Sequence, residues 1–191
     1  MSIAAAATVV LALLVVGLVQ LAGGSTQSSP PSTLTLAQMR SRLAGSPPQL
    51  AALHAQAGEI LSGGLSAVRA RLAALRGTPV VINKWASWCE PCRAEFGVFQ
   101  RVSVSLGREV AFIGIDSNDS RAGALAFLHD FPVSYPSYFD ASGKVGEAIT
   151  DSAFTPVTVI YDRRGSLFIH QGPYPSVAKL ERDVRRYALD A

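Results

Sequence analysis

The sequence predicts an α/β protein: a central mixed β-sheet with helices on both faces, and a transmembrane helix before it. Two patterns predict the domain. Short apolar segments alternate with helical patterns in its first part, and two strands and a helix close the chain. A third pattern predicts the membrane helix, because residues 3–22 are almost all Ala, Val and Leu and no charged side chain precedes Arg40.

The composition excludes several functional classes. Hydrophobic residues make up 49% of the 191 and charged residues only 16%, which excludes an intrinsically disordered protein. The net charge of +3 is too small and too scattered to indicate a nucleic-acid-binding protein. Two cysteines are too few for a disulfide-stapled scaffold or a four-cysteine zinc site.

Residues 1–24 are predicted to be a membrane anchor or signal segment, followed by a flexible linker at residues 25–33. As a helix, the apolar run 3–22 reaches about 30 Å, the thickness of a bilayer core. We favour an uncleaved anchor over a cleaved signal peptide, because the run is long and residues 21–24 make a poor cleavage site. A buried core helix is disfavoured, since the run has no polar face. We therefore expect a single-pass protein of the cell membrane, with its domain on the extracytoplasmic side.

A helical extension is predicted at residues 34–56 and the globular domain at residues 57–191. Hydrophobic spacing of three and four residues predicts the helices, and short runs rich in Val and Ile predict the strands. The predicted helices cover residues 35–44, 48–57, 65–75, 89–106 and 120–130, and a last one begins at residues 175–176. The predicted strands cover residues 57–61, 80–85, 110–116, 157–161 and 167–171.

Individual residues support these boundaries. The run at residues 80–85 is typical of a strand buried on both faces. Ser120 is a suitable N-cap for the helix that follows it. Residues 162–165, Asp-Arg-Arg-Gly, have the composition of a hairpin turn and predict that the last two strands pair.

The two cysteines carry the chemistry. Cys89 and Cys92 lie at the predicted start of a helix, where a spacing of two residues brings their sulfurs within bonding reach. Pro91 fits the first helical turn, and the free N–H groups there stabilise a thiolate at Cys89. A zinc site is disfavoured because the three histidines are scattered, and an inert disulfide with so short a loop adds little stability. The pattern therefore predicts a redox-active pair.

The segment Trp88-Cys-Glu-Pro-Cys92, following a buried strand, resembles the active-site motif of the thioredoxin superfamily. Residues 83–92 resemble more closely the membrane-anchored TlpA/ResA-like thiol–disulfide oxidoreductases of bacteria. Glu95, three residues after Cys92, and the Thr155-Pro156 pair before the hairpin extend the likeness, as does a segment at residues 116–151 that resembles the family's inserted helix and strand. This resemblance covers residues 57–191 and implies a thioredoxin-like fold.

The resemblance also implies roles. Cys89 would be the exposed, attacking cysteine and Cys92 the buried, resolving one. Pro156 would be cis and face the pair, Glu95 would exchange a proton with Cys92, and Trp85 would pack beneath the site. The residues implied by the resemblance are Cys89, Cys92, Glu95 and Pro156 as catalytic residues, and Trp88, Glu90, Pro91 and Thr155 as substrate-binding residues.

Four positions have other interpretations or depart from the family. Glu95 has the alternative role of complementing the positive end of its helix. Glu90 is expected to be exposed, and its charge opposes a thiolate at Cys89. Lys84 replaces an aromatic residue of the family and is expected to extend to the sheet edge with its amine in water. Gly97 stands where the family often has a proline that kinks the helix.

Together these features predict an enzyme, an extracytoplasmic thiol–disulfide oxidoreductase of exported proteins. The resemblance implies that it acts as a reductase, on clients such as the haem-attachment cysteines of apocytochrome c. It is expected to be a monomer that binds no cofactor, metal or nucleic acid. A membrane electron carrier is expected to reduce its disulfide after each reaction. Two alternatives remain open: an oxidase that donates disulfides, and a tethered binding module without catalysis. A peroxidase is disfavoured because the only cysteines form the C-x-x-C pair.

Overall fold

The computed structural model describes residues 34–190. The predicted anchor and linker, residues 1–24 and 25–33, lie outside the described residues. Within residues 34–190, no helix combines the length and the hydropathy needed to cross a bilayer.

The described chain forms seven α-helices and six strands. The helices are α1 Leu36–Arg42, α2 Pro48–Ala55, α3 Gly64–Ala74, α4 Glu90–Leu106, α5 Arg121–Asp130, α6 Lys144–Thr150 and α7 Val177–Val184, which continues as a π-helical turn at Arg185–Leu189. The strands are β1 Ile60–Leu61, β2 Val80–Trp85, β3 Ala111–Ser117, β4 Ser137–Asp140, β5 Val157–Tyr161 and β6 Leu167–Gln171.

The strands form one mixed sheet in the order β1-β4-β3-β2-β5-β6. β1, β4, β3 and β2 are parallel, whereas β5 is antiparallel to β2 and β6 is antiparallel to β5. β2 and β3 lie at the centre, and every residue of both strands is buried. This burial on both faces explains their near-continuous apolar sequence.

Helices cover both faces of the sheet, as predicted. On one face, Val81 and Trp85 of β2 join a hydrophobic cluster with residues of α4, α5 and α7. On the other face, Val80 and Ile82 join a second cluster with residues of α2 and α3. The alternation of side chains along the strand separates the two clusters. The helix of the cysteine motif therefore packs on the first face, at the carboxyl end of β2.

The first strand is shorter than predicted. It covers only Ile60–Leu61, whereas the sequence predicts residues 57–61. Gly58 has a φ of 74°, which interrupts an extended backbone, and its N–H donates to the Tyr135 carbonyl. The segment 116–151, in which the resemblance implies an inserted helix and strand, contains the two helices α5 and α6 and the strand β4.

We expect Gly114→Ala to destabilise the domain by about 1–3 kcal/mol, because the space beside β3 is already filled. A Cβ at Gly114 would lie 2.8 Å from Ser137 Cβ and 2.9 Å from Trp85 Nε1. The Trp85 indole donates to Ser137 Oγ at 3.1 Å, and the added methyl group would disrupt that bond.

Urea unfolding measures the effect, with Gly97→Ala as the matched control. Gly97 lies inside α4, and a Cβ there meets only the Arg101 guanidinium at 3.9 Å. Alanine favours a helix over glycine by up to about 1 kcal/mol, so the control is expected to be stabilised. Equal stability of Gly114→Ala and the wild type would contradict the close packing at Ser137.

Candidate active site

The two cysteines form a disulfide at the start of α4. Cys89 is the N-cap residue, and its Sγ accepts the Cys92 N–H at 3.2 Å. The Cα atoms of the bonded pair are 5.3 Å apart. A turn leads into the helix, because the Cys89 N–H donates to the Ala86 carbonyl. The predicted placement of the sulfurs at a helix start is confirmed.

The exposure of the cysteines differs from the expectation. Cys89 is only 3% exposed and Cys92 is fully buried. Cys89 is therefore the more accessible of the two, but it is not an exposed residue in this disulfide-bonded state. The reason is packing, since both cysteines belong to the hydrophobic cluster that contains Trp85 and Phe96.

The two tryptophans occupy different environments. Trp88 is 61% exposed, and its Nε1 donates to the Asn118 carbonyl at 2.9 Å. Trp85 is buried, and its ring lies 5.0 Å from the ring of Phe96 and 5.0 Å from that of Phe127. Trp85 thus supports the cysteine loop from the core, as expected, while Trp88 lies on the surface beside it.

The Thr155–Pro156 peptide bond is cis, as the resemblance implies. It directly precedes β5, in which Val157 pairs with Lys84 of β2. The cysteine loop leaves the same end of β2. The prolyl segment and the disulfide therefore lie at the same edge of the sheet, the one formed by the carboxyl end of β2. Glu90 and Pro91 are exposed on the first turn of α4.

A polar cleft of about 390 Å³ adjoins this edge. Trp88 and Thr155, both predicted substrate-binding residues, line it together with Phe154, which is 74% exposed. The exposed aromatic side chains of Trp88 and Phe154 thus line one cleft together with Thr155, the residue before the cis peptide. Phe154 is not among the residues predicted from the sequence.

Lys84 corrects a prediction. Its side chain does not reach water: the residue is 2% exposed, and Nζ donates to the Ser152 carbonyl at 2.7 Å. The reason is that β2 is a central strand and α6 covers it closely at Gly146. Burial lowers the pKa of Lys84, while the negative charges of Glu147 and Asp140 partly offset this. Lys84 thus ties β2 to the segment that precedes the cis peptide.

Glu95 is wholly buried beneath the cysteine helix. Its Oε1 accepts the Asn83 side-chain amide at 2.7 Å, and its Oε2 accepts the Tyr174 N–H at 2.9 Å. Burial raises the pKa of Glu95 to about 7, although the two hydrogen bonds oppose the rise. Glu95 is the sixth residue of α4, beyond the first turn in which a helix dipole acts on side chains. A carboxyl with this pKa is suited to taking up and releasing a proton near neutral pH.

Two aspartates next to the cysteine loop were not predicted. Asp119 accepts hydrogen bonds from the Ser87 N–H and, at 2.9 Å, from the Ser87 hydroxyl, and so holds the loop before Cys89. Although burial opposes it, these bonds together with that from the Ser120 N–H keep the pKa of Asp119 below its usual value. The signal in the sequence was the polar run that follows β3, because β3 and β2 are parallel and end at the same edge.

Asp116 lies next to Asp119 and is fully buried. Burial raises the pKa of Asp116 to about 8, and the nearby negative charges of Asp119 and Asp140 add to the rise. Neither oxygen of Asp116 has a hydrogen-bond partner within residues 34–190. Asp116 is therefore a buried carboxyl with no partner among the described residues, next to the loop that carries Cys89.

The remaining candidate residues are dispersed. His54 is buried on α2, His129 is exposed near the end of α5, and His170 is half-buried on β6. Arg163 and Arg164 are exposed in the turn between β5 and β6, as predicted.

Comparison with known proteins gives a consistent result. A family model described as AhpC/TSA matches residues 60–168. The thiol:disulfide interchange protein DsbE of Escherichia coli K12 is 33% identical over 72 residues, which are 37% of each chain. The thiol-disulfide oxidoreductase ResA of Bacillus subtilis is 26% identical over 100 residues, which are 52% of this chain and 55% of ResA. The matches thus span about a third to a half of the length of these curated relatives.

A solved structure agrees with these relatives. The structure of MTB dsbF in its mixed oxidized and reduced forms superposes with a TM-score of 0.54 and 26% sequence identity. It covers 59% of this chain and 83% of the dsbF chain.

Proposed function

The chain belongs to the AhpC/TSA family, and from this premise we propose that it is a thiol–disulfide oxidoreductase acting through Cys89 and Cys92. Its relatives carry the names of such enzymes, and its fold is thioredoxin-like, as the sequence predicts. The observation that carries the proposal is the Cys89–Cys92 disulfide at the start of α4, at the same sheet edge as the cis peptide before Pro156.

The reaction is a transfer of two electrons to a client disulfide. In the reduced enzyme the Cys89 thiolate attacks one client sulfur, forms a mixed disulfide and releases the other client sulfur as a thiolate. Cys92 then gives its proton to the Glu95 carboxylate, and the new thiolate attacks Cys89 Sγ. The second client sulfur leaves as a thiolate, which takes a proton from water, and Cys89–Cys92 is again a disulfide.

Trp88, Glu90, Pro91 and Thr155 would contact the client. The cleft lined by Trp88 and Thr155 supports this role, because it adjoins the disulfide edge and has exposed aromatic side chains. The Thr155 backbone would pair with an extended client segment, which places the client disulfide near Cys89.

The direction we propose is reduction. Glu90 lies exposed between the cysteines, and its negative charge opposes the Cys89 thiolate. A less stabilised thiolate makes the disulfide a weaker oxidant, the opposite of the arrangement in a disulfide-donating enzyme. The resemblance to the TlpA/ResA-like proteins supports the same direction and makes the haem-attachment cysteines of apocytochrome c a reasonable client class.

We propose further that the domain works outside the cytoplasm as a monomer, tethered to the cell membrane by residues 1–24. The apolar run 3–22, with the linker 25–33 behind it, supports this placement. An extracytoplasmic reductase needs electrons from a membrane carrier, because the glutathione-type pools that keep thiols reduced belong to the cytosol.

The reduction potential of the compact unit Thr33–Ala191 tests the direction. A value well below about −200 mV is expected for a reductase, and a value near about −120 mV would indicate an oxidase. The same unit is expected to speed the reduction of insulin disulfides by dithiothreitol. If a variant without both cysteines retained the full biological activity, the protein would be a binding module instead.

A further inference from the structure

The end of the domain away from the disulfide is rich in arginine. α4 begins at Glu90, next to the cysteines, and ends at Leu106, about 25 Å away. β2 begins at this far end, and its carboxyl end leads to the cysteine loop. Six exposed arginines surround the far end, and we call them the arginine surface: Arg42, Arg76, Arg101, Arg108, Arg163 and Arg164.

Three neighbouring clefts make the arginine surface continuous. Arg42 and Arg101 line the first cleft, and Arg108 and Arg163 line the second. Arg163 also lines the third cleft, together with the two remaining arginines. The Arg108 guanidinium donates to the Ala44 carbonyl just after α1, which joins the first cleft to the second. The six side chains therefore form one surface and are not scattered over the domain.

Positive charge is in excess on the arginine surface. Within residues 34–190, none of its six guanidinium groups forms an ion pair. The carboxylates that line the three clefts are Glu109 and Asp162. Asp162 is buried and accepts two N–H groups of its own turn, so its charge is already engaged. The small net charge of the chain therefore conceals one strongly positive surface.

The chain enters the domain at this surface. Leu34 is the first described residue, and its N–H and its carbonyl are both bonded to the Gln100 side chain on α4. Leu34 also lines the first cleft of the arginine surface. Between the apolar run 3–22 and Leu34 lie residues 23–33, and a flexible segment of that length spans about 17–20 Å on average. The predicted linker therefore joins the domain at the arginine surface and not at the disulfide.

We propose that the arginine surface binds the phosphate groups of anionic phospholipids in the membrane that carries the protein. Guanidinium groups bind phosphate oxygens with paired hydrogen bonds, and each basic residue at an anionic lipid surface strengthens binding about fivefold. The linker keeps the lipid at a high effective concentration, so six weak contacts act together. The disulfide, with the carboxylates Asp119 and Glu147 near it, then faces away from the bilayer and toward exported polypeptides. This inference rests on the proposed membrane tether and not on the redox chemistry.

Vesicle binding by the compact unit Thr33–Ala191 tests the surface without the anchor. Both hydrophobic clusters and the whole sheet lie within this unit, so it retains the core of the fold. Vesicles of phosphatidylcholine with phosphatidylglycerol are expected to sediment the unit, whereas vesicles of phosphatidylcholine alone leave it in solution. Raising the salt concentration from about 0.1 M to about 1 M shortens the screening length from about 10 Å to about 3 Å and is expected to abolish binding.

Arg163→Gln/Arg164→Gln is expected to weaken this binding at least about tenfold, because two of the six contacts are lost. Arg69→Gln/Arg182→Gln is the matched control. These two arginines are exposed and lie outside the three clefts, and the change in net charge is the same. The control is expected to bind within about threefold of the wild type. Both double variants are expected to reduce insulin at the wild-type rate, because the substituted residues lie away from the disulfide.

Three results would overturn the inference. The first is a failure to prefer anionic vesicles, or an equal loss of binding in the two double variants. The second is displacement from the vesicles by inorganic phosphate at constant ionic strength, which would show a pocket for free phosphate. The third is binding to polyglutamate without binding to vesicles, which would make an acidic polypeptide the partner.

Trypsin digestion of the full-length chain in reconstituted vesicles tests the orientation. Phosphatidylglycerol is expected to protect the bonds after Arg163 and Arg164 and to leave cleavage after Lys144 unchanged. Lys144 is an exposed residue that follows Gly143, which lines the cleft beside the disulfide. If the full-length chain does not fractionate with membranes, the proposed tether fails, and this inference fails with it. If that chain is membrane-bound and the compact unit ignores anionic lipid, this inference alone fails. Insulin reduction needs neither lipid nor tether and tests the redox function separately.

Discussion

Cys92→Ser is expected to accumulate covalent complexes with exported client proteins, whereas Cys89→Ser accumulates none. Cys89 is the more accessible sulfur and sits at the N-cap of α4, so it makes the first attack. Without Cys92, the mixed disulfide has no resolving thiol next to it and persists. We expect each substitution to lower catalysed disulfide exchange by at least about a hundredfold, because the two thiols act as one unit.

Non-reducing gels of membrane extracts measure the trapped covalent complexes. Dithiothreitol must release the client from these complexes, because it reduces the mixed disulfide. The double variant Cys89→Ser/Cys92→Ser is the control for non-covalent association. Equal trapping by both single variants would show that the two cysteines do not have the separate roles assigned to them.

Glu95→Gln is expected to slow resolution of the mixed disulfide about a hundredfold near pH 7 and to abolish the pH dependence centred there. The substitution keeps the size of the side chain but removes the group whose pKa burial raises to about 7. The pH–rate profile between pH 5 and 9 measures the effect. Glu90→Gln, an exposed carboxyl on the same helix, is the matched control and is expected to retain that pH dependence.

The same carboxyl links stability to pH. The fold raises the pKa of Glu95 from 4.5 to about 7, so the folded state binds a proton more tightly than the unfolded state. This contribution to stability is complete below about pH 4.5 and is lost as the pH rises to about 7, at about 1.4 kcal/mol for each unit of pKa. Glu95→Gln is expected to remove this part of the slope in urea unfolding measured from pH 4.5 to 7. An unchanged slope would place the titration on another group.

The sequence was informative where the local pattern determines the structure. The apolar runs predict β2 and β3 because both strands are buried on both faces. The cysteine spacing and Pro91 predict the start of α4, since a helix N-terminus has specific local requirements. The cis peptide before Pro156 followed from the resemblance, because X-Pro bonds are usually trans.

Other features depend on which strands become neighbours, and the local pattern does not contain that information. Lys84 is buried because β2 is central and α6 crosses it. Glu95 is held by Tyr174, which lies 79 residues further along the chain. Pairing of β2, β5 and β6 in register is what brings Asn83, Thr158 and His170 side by side.

The contrast between the two tryptophans supplies two optical reporters with separate uses. Trp88 lies in water next to the disulfide, so its fluorescence should respond to the oxidation state of Cys89 and to a docked polypeptide. Trp85 is enclosed by aromatic rings and reports on the integrity of the core. Acrylamide should quench the first and spare the second, and a single spectrum would then follow turnover and unfolding without any added dye.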